Sequence, residues 1–264
     1  MRVSGKGLIN REKTLNFKFD GRNYKGFEGD TVASALLASG KKVFGRSFKY
    51  HRPRGVLTAG SEEPNALITV GQGVFQDPNI RATTQEIFEG LVTKSQNNWP
   101  NLQYDILSIN DLFSNFLGAG FYYKTFMWPK SFWEKIYEPF IRRAAGLGAL
   151  SGLHNSDTYE KAYAFCDLLI IGGGPSGLIA AKIAAEAGLD VILAEQEPIF
   201  GGRLNSETEK VDGIPGSDWA VKIIEELKEL DNVRLFLRTT VTGVYDQGTF
   251  AAVERVGHHL PDRG

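Results

Sequence analysis

The feature that most constrains the fold is a glycine-rich turn between a short apolar run and an alanine-rich run. Residues 167–171 read DLLII, which is typical of a strand buried on both faces, and GGGPSG follows at 172–177. The next run, LIAAKIAAEAG, is rich in helix formers and ends at Gly188. DVILA then predicts a second strand, which ends beside Glu195. Residues 167–203 therefore predict the opening βαβ unit of a Rossmann-type domain.

The glycines and the helix start are placed to hold the pyrophosphate of a dinucleotide. Gly172 permits the tight turn, Gly174 lets the backbone approach the pyrophosphate, and Gly177 lets the helix pack closely on the strand. Pro175 and Ser176 open the helix, where backbone N–H groups and the positive end of the helix dipole face the phosphates.

Residues beyond the second strand extend the predicted site. Glu195 stands where a carboxylate accepts hydrogen bonds from ribose hydroxyls, and it favours NAD or FAD over NADP because it would repel a 2′-phosphate. Gly202 permits close passage beside the pyrophosphate, and Arg203 either pairs with a phosphate or is a solvated surface side chain. The backbone near Val241 is expected at the adenine edge.

The rest of this half continues the α/β pattern. A second helix is predicted from apolar residues at helical spacing, namely Ala220, Ile223, Ile224, Leu227 and Leu230. VRLFL predicts a third strand, and residues 241–253 predict a hairpin with its turn at 246–248. HHLPDRG follows without another apolar strand, so we expect an incomplete, truncated Rossmann-type domain over residues 165–264.

The N-terminal part predicts a small α+β module. Leu15, Phe17 and Phe19 alternate with polar residues, as in a half-buried strand, and the Asp-Gly pair that follows favours a hairpin turn. Asp30 is expected to cap a short helix in TVASALLAS, and ALITV predicts a later strand. This order of elements predicts a β-grasp module over residues 1–98.

Residues 99–164 form an aromatic-rich connecting or docking segment. Its aromatic residues are Trp99, Tyr104, Phe113, Phe116, Phe121, Tyr122, Tyr123, Phe126, Trp128, Phe132, Trp133, Tyr137 and Phe140. Two interpretations stay open: these side chains fill the join between two domains, or they dock onto another subunit. Glycine and polar residues over 146–164 predict a linker.

Composition excludes several classes of function. The net charge of −1 gives no general electrostatic reason to bind nucleic acid or a membrane. Cys166 is the only cysteine, which rules out an internal disulfide and four-cysteine metal sites, and we expect a buried, inert thiol. Without an apolar run of about 18 residues or a signal peptide, a cytoplasmic location is expected.

One basic run, KYHRPR at 49–54, has two interpretations. It could grip a phosphate or an acidic partner, or it could be a structural loop docked on the neighbouring domain, and the second is favoured. No arrangement of catalytic side chains stands out, so we assign no catalytic residue and no metal ligand.

Several longer stretches carry a family resemblance. These are FDGRNYKGFEGDTVASALLASG, GRSFKYHRPRGVLTAGSEEPNAL, GFYYKTFMWP, FWEKIYEPFIRRAAGLG and CDLLIIGGGPSGL. From about residue 15 onward the chain resembles the N-terminal portion of the alpha subunit of heterotetrameric sarcosine oxidase, with NAD contacts at the glycine loop, Ser176, Glu195, Gln196, Glu197, Arg203 and the backbone near Val241.

The resemblance implies that the chain belongs to a larger assembly with beta, gamma and delta subunits. In that assembly FAD and FMN are expected on the beta subunit or at its interface with alpha. The expected reaction oxidises sarcosine to glycine, transfers the methyl carbon to tetrahydrofolate as the methylene adduct and reduces oxygen to hydrogen peroxide. The N-terminal module resembles a ferredoxin, but residues 54–66 contain no cysteine, so we expect the fold without an iron–sulfur cluster.

The sequence therefore favours the NAD-binding portion of a sarcosine oxidase alpha subunit, inactive as a fragment alone. The alternatives are a non-catalytic NAD-binding structural subunit and a subunit of a related amine or opine dehydrogenase.

Overall fold

A computed structural model describes residues 2–3, 7–121, 126–145, 148–154, 158–257 and 259–260. The described residues divide into two compact units. The first consists mainly of those from Ile9 to His154, and the second mainly of those from Thr158 to Gly257.

The first unit contains a five-stranded mixed sheet. Its strands and those of a small ribbon are, in chain order, β1 (Asn10–Phe19), β2 (Arg22–Glu28), β3 (Gly45–Arg46), β4 (Pro53–Arg54), β5 (Leu67–Val70), β6 (Asp77–Arg81) and β7 (Val92–Ser95). The large sheet has the order β2-β1-β7-β5-β6, in which β1 and β7 are parallel and the other neighbours are antiparallel. β3 and β4 form the ribbon.

The predicted strand–turn–strand at the N-terminus is present. Asp20 and Gly21 join β1 to β2 and both have positive φ, 50° and 75°, as a two-residue hairpin turn requires. Phe17 and Phe19 of β1 face the core and are buried together with Leu36 of the following helix. Burying side chains of this size contributes roughly 1.5–3 kcal/mol each.

The helix α1 (Val32–Ala38) is capped by a different residue from the one predicted. Thr31 is the N-cap: its hydroxyl accepts a hydrogen bond from the backbone N–H of Ser34, whose hydroxyl in turn accepts from the N–H of Thr31. Asp30 instead lies fully buried and accepts hydrogen bonds from the side chains of Arg2 and Ser34 and from the N–H of Phe27. The prediction was wrong by one residue because Asp30 is taken up by the loop before the helix.

The aromatic-rich segment has short helical turns. A 3₁₀ turn spans Ile106–Asp111, a π-helical turn spans Trp133–Tyr137, and α2 (Glu138–Ala145) follows directly. Of the predicted linker, residues 148–154 and 158–164 have no helix or strand, and the other positions of 146–164 lie outside the described residues, as do Tyr122 and Tyr123.

The second unit has the predicted alternation of strands and helices. Its elements are β8 (Leu168–Ile171), α3 (Pro175–Glu186), β9 (Val191–Ala194), β10 (Lys210–Val211), β11 (Ile214–Pro215), α4 (Gly216–Lys228), β12 (Val233–Phe236), β13 (Thr239–Tyr245) and β14 (Thr249–Glu254). β12, β9 and β8 form a parallel sheet in that order, and β13 pairs with β14 in an antiparallel hairpin.

The parallel pairing brings the ends of two strands to one edge of this sheet. Ile171, the last residue of β8, lies opposite Ala194, the last residue of β9. The residues that follow, Gly172 and Glu195, therefore leave the sheet side by side. This edge is where ligands bind in open α/β sheets.

Candidate functional site

The turn after β8 and the first turn of α3 each require a glycine. Gly172 has φ of +101°, a conformation that a side chain would strain. At Gly177 a Cβ would lie 1.9 Å from the carbonyl oxygen of Gly172. The first turn of α3 therefore packs directly against the turn that precedes it, as the fingerprint predicts.

The start of α3 presents backbone to its surroundings. Gly174 is the N-cap, and no side chain of the described chain caps this end. Pro175 lacks an N–H and Ser176 is exposed. A Cβ at Gly174 would meet nothing within 4 Å among the described residues, so a phosphate has room to approach. Uncapped amides and the positive end of a helix dipole are features that favour an anion.

Glu195 is held against the glycine turn. Its side chain is buried, at 7% exposure, and Oε2 accepts a hydrogen bond of 2.7 Å from the backbone N–H of Gly173. Oε1 accepts one of 2.9 Å from the N–H of Glu197. Each carboxylate oxygen has two lone pairs, so both oxygens can accept a further hydrogen bond. The carboxylate is thus fixed where the fingerprint predicts a ribose acceptor.

The loop at residues 200–202 packs against the glycine turn. The N–H of Gly201 donates to the carbonyl of Gly173 at 2.8 Å, and a Cβ at Gly202 would lie 3.2 Å from the Cα of Gly174. Phe200 packs on Gly173, where a Cβ would come within 2.3 Å of the ring. The sequence analysis missed Gly173 and Phe200, because their role is contact between two loops rather than a position in the fingerprint.

The remaining residues of the predicted site are Arg203, Gln196, Glu197 and Val241. Arg203 is exposed, and its Nε lies 2.6 Å from Oε1 of Glu207, one helical turn further on. Gln196 is exposed and Glu197 is half-buried. Val241 lies half-buried in β13 opposite Ala252. The structure thus brings the glycine turn, Glu195 and Gly202 together, while Arg203 is directed to its own turn.

Arg255 is a further residue that sequence analysis missed. Its guanidinium donates a hydrogen bond of 2.6 Å to the backbone carbonyl of Gln196. The two residues are 59 positions apart, and no local pattern marks the contact. It depends on the β13–β14 hairpin returning the chain to the end of β9.

The basic run at 49–54 is docked on the segment that follows the first unit's sheet. Nδ1 of His51 lies 2.6 Å from Oδ2 of Asp105, both buried, and the guanidinium of Arg52 pairs with Asp111 at 2.7 Å. The hydroxyl of Tyr50 donates to the carbonyl of Leu117. These contacts give the run a structural role within the first unit, whereas the favoured interpretation placed it against the neighbouring domain.

Cys166 lies partly buried just before β8. Burial raises the pKa of its thiol, although Arg234 acts in the opposite direction. A raised pKa leaves little thiolate at neutral pH, in line with the expected inert cysteine.

Fold and site together define the class: a ferredoxin-like unit followed by a Rossmann-like nucleotide-binding unit. Two family models match in that order, a 2Fe–2S iron–sulfur cluster binding domain over residues 12–98 and an NAD(P)-binding Rossmann-like domain over residues 170–240. The fold predicted from the sequence is confirmed.

The predicted resemblance to sarcosine oxidase alpha subunits is also confirmed. The chain is 56% identical over 98% of its length to the sarcosine oxidase subunit alpha of Rhizobium meliloti (strain 1021). It is 33% identical over 96% of its length to that of Corynebacterium sp. (strain U-96). The chain spans about a quarter of the length of these relatives, 26% and 22%.

A solved structure shares the fold. L-proline dehydrogenase from P. horikoshii superimposes with a TM-score of 0.56 at 18% identity, over 96% of this chain and 40% of that one.

One expectation is corrected by these comparisons. We expected a ferredoxin fold without an iron–sulfur cluster, whereas the family model that matches residues 12–98 is that of a 2Fe–2S cluster binding domain. The expectation rested on cysteine ligands alone. The match covers residues 12–98, and Cys166 lies outside that range.

The described residues contain neither a cluster of metal-binding side chains nor a membrane-spanning helix. No group of three or more His, Cys, Asp and Glu side chains in that part of the chain is arranged to hold a metal ion. Within the same ranges, no helix combines the length and apolar character needed to cross a bilayer.

Proposed function

We propose that the second unit binds NAD. The observation that carries this proposal is Glu195, whose carboxylate is fixed by the N–H groups of Gly173 and Glu197 beside the uncapped start of α3. In this arrangement the pyrophosphate lies over Gly172 and Gly174, and Glu195 accepts a hydrogen bond from the adenosine ribose.

The same carboxylate supports NAD over NADP. A 2′-phosphate placed on the ribose would bring a second negative charge against Glu195, which is buried and therefore poorly screened. A 2′-hydroxyl instead donates to it. The proposed contacts are the glycine turn with Pro175, Ser176 and Gly177, then Glu195, Gln196 and Glu197, then Gly202, Arg203 and the backbone near Val241.

For the protein as a whole, we propose a part in an oxidoreductase complex of the sarcosine oxidase type. The supporting observation is 56% identity to a sarcosine oxidase alpha subunit along nearly the whole chain. The proposed reaction oxidises sarcosine to glycine, transfers the methyl carbon to tetrahydrofolate and reduces oxygen to hydrogen peroxide. This chain contributes the dinucleotide site, and we assign it no catalytic residue.

The segment 99–164 is proposed to dock the beta, gamma or delta subunits. Its described part exposes large apolar side chains, among them Trp128 at 83%, Phe116 at 82% and Leu112 at 80%. Exposed aromatic residues of this kind are enriched at protein–protein interfaces. We also propose that this segment separates two domains, a β-grasp module over residues 1–98 and a Rossmann-type domain over residues 165–264.

Calorimetric titration of the full chain with NAD, NADP and FAD tests the nucleotide proposal. We expect NAD to bind at least about tenfold more tightly than NADP. Glu195→Gln should weaken NAD about tenfold, which corresponds to the loss of a hydrogen bond to a charged group, and should reduce the preference over NADP.

Glu229→Gln is the matched control, because Glu229 is exposed at the end of α4, away from the glycine turn. It should leave both affinities unchanged. Tighter binding of FAD than of NAD would overturn the choice of cofactor. Equal NAD affinity in wild type and Glu195→Gln would overturn the role of the carboxylate.

A further inference from the structure

The base of the β13–β14 hairpin is bonded to the residues that follow β9. The N–H of Thr239 donates to the carbonyl of Glu195 at 2.8 Å, and the N–H of Arg238 donates to the carbonyl of Glu197 at 3.1 Å. At the other end of the hairpin, the N–H of Arg255 donates to the carbonyl of Arg238 at 3.0 Å. The hairpin therefore holds the stretch that contains Glu195.

Arg255 adds a side-chain contact to the same stretch. Its Nη2 donates to the carbonyl of Gln196 at 2.6 Å. The residue is half-buried, and its Nε is enclosed without a hydrogen-bond partner among the described residues. The guanidinium is thus seated against the Gln196 carbonyl.

The contacts of Arg255 and Glu195 meet on one peptide unit. The carbonyl of Gln196 and the N–H of Glu197 belong to the same planar peptide, so the direction of one sets the direction of the other. Arg255 bonds the carbonyl, and the N–H donates to Oε1 of Glu195 at 2.9 Å. A charged donor on the carbonyl also polarises the peptide and strengthens the bond made by its N–H.

We propose that Arg255 is a positioning residue for the dinucleotide site: through the Gln196–Glu197 peptide it keeps the Glu195 carboxylate in place to accept the ribose hydroxyl. This inference rests on the proposed function of that site. Arg255 itself acts through the peptide rather than on the nucleotide.

The test compares NAD with its analogue that lacks the 2′-hydroxyl on the adenosine ribose. The ratio of their dissociation constants measures the hydrogen bond that the hydroxyl makes, because all other contacts are shared. In the wild-type full chain we expect a ratio of about ten. In Arg255→Met, which keeps the length of the side chain but has no donor, the ratio should fall below about three.

Arg234→Met is the matched control. Arg234 pairs with Asp190 and the carbonyl of Phe165, at the opposite end of β12 from Glu195. Arg234→Met also removes one guanidinium, and it should leave the ratio of the two dissociation constants at about ten. Thermal melts of each variant separate a loss of stability from a change in the ratio.

An Arg255→Met chain that is less stable but keeps a ratio of about ten would overturn the inference, since Arg255 would then have a purely structural part. If Arg255→Met does not fold, Arg255→Gln is measured, which lacks the charge; a ratio below the wild-type value supports the inference and an unchanged one overturns it. A wild-type chain that binds neither nucleotide contradicts the proposed function itself, whereas one that binds both equally overturns the inference, since Glu195 then accepts no hydrogen bond from the 2′-hydroxyl.

Discussion

The side chain of Glu63 is buried in the loop that leads to β5, and its carboxylate accepts hydrogen bonds from four backbone N–H groups. The donors are Leu57, Thr58, Asn65 and Ala66, at 2.6–3.0 Å. The carboxylate thus organises the loop from within. A buried charge of this kind is stable only because its hydrogen-bonding capacity is filled.

This arrangement predicts a pH dependence of stability. Burial alone would raise the pKa of Glu63, but the four N–H donors together outweigh it and hold the pKa below its ordinary value of 4.5. A carboxyl group with a lowered pKa in the folded state stabilises the fold above about pH 4.5, and that contribution is lost as the pH falls through the folded-state pKa.

Glu63→Gln should therefore lower the free energy of unfolding at pH 7 by about 2 kcal/mol, and the difference from wild type should shrink below pH 4.5. Urea unfolding at pH 7 and at pH 3.5 measures both effects. Glu62→Gln, which changes the exposed neighbour, serves as the control. A difference that stays constant across this pH range would show that the charge of Glu63 has no part in holding the loop.

At the residue scale, a site residue can be predicted from the sequence when a fixed spacing separates it from the motif it serves. Glu195 was predicted because a fixed spacing separates it from the glycine turn. Arg255 was not, because its contact with Gln196 joins residues 59 positions apart through a hairpin. Glu63 was also missed, since four bonds to backbone N–H groups leave no pattern of side chains in the sequence.

At the scale of elements, the packing of α3 on the glycine turn makes a clear prediction. In Gly177→Ala the new methyl group would meet the carbonyl of Gly172 at 1.9 Å, so the helix and turn must separate. We expect a loss of stability of about 1–3 kcal/mol, as for other overpacked positions, together with loss of NAD binding. Thermal melts and titration measure the two effects.

Gly174→Ala is the informative comparison. Its methyl group would meet nothing within 4 Å in the described part of the chain, and its φ of −74° suits alanine. Stability should change by less than about 1 kcal/mol, while the methyl group blocks the approach of the pyrophosphate. If Gly174→Ala binds NAD as wild type does, the pyrophosphate does not lie over this turn.

Elements with strong local patterns were predictable and the others were not. The main strands and helices of the second unit could be predicted from apolar runs, a glycine-rich turn and apolar residues at helical spacing. In the first unit β6 and β7 read DPNIR and VTKS, which lack a regular alternation of apolar residues. These strands form because long-range pairing with β5 and β1 satisfies their backbone groups.

At the scale of the whole molecule, the proposed docking segment can be tested directly. Trp128→Asp and Phe116→Asp place charges on side chains that are 83% and 82% exposed. Each should weaken association with a co-expressed beta subunit at least tenfold, because a buried charge without a partner is costly at an interface. NAD binding by the chain should be unchanged.

Val244→Asp is the control for that experiment, since Val244 is also exposed, at 68%, but lies on the β13–β14 hairpin. Pull-down with a tagged beta subunit gives the measurement. Equal retention of all three variants would show that the exposed aromatic residues have no part in binding the beta subunit.

Residues 12–98 contain no cysteine, although they match a ferredoxin-type family model. The expectation of a cluster-free ferredoxin fold followed from counting cysteines, and the match of residues 12–98 to a 2Fe–2S cluster binding domain corrected it. The described residues of this range share a buried core that includes Phe17, Phe19 and Leu36.

A crystal structure of the chain with NAD would show whether the dinucleotide lies over the glycine turn with its ribose at Glu195. We predict pyrophosphate oxygens within hydrogen-bonding distance of the N–H groups of Ser176 and Gly177. A ribose hydroxyl should lie within the same distance of the Glu195 carboxylate. Nucleotide bound elsewhere, or a ribose turned away from Glu195, would contradict the proposed binding mode.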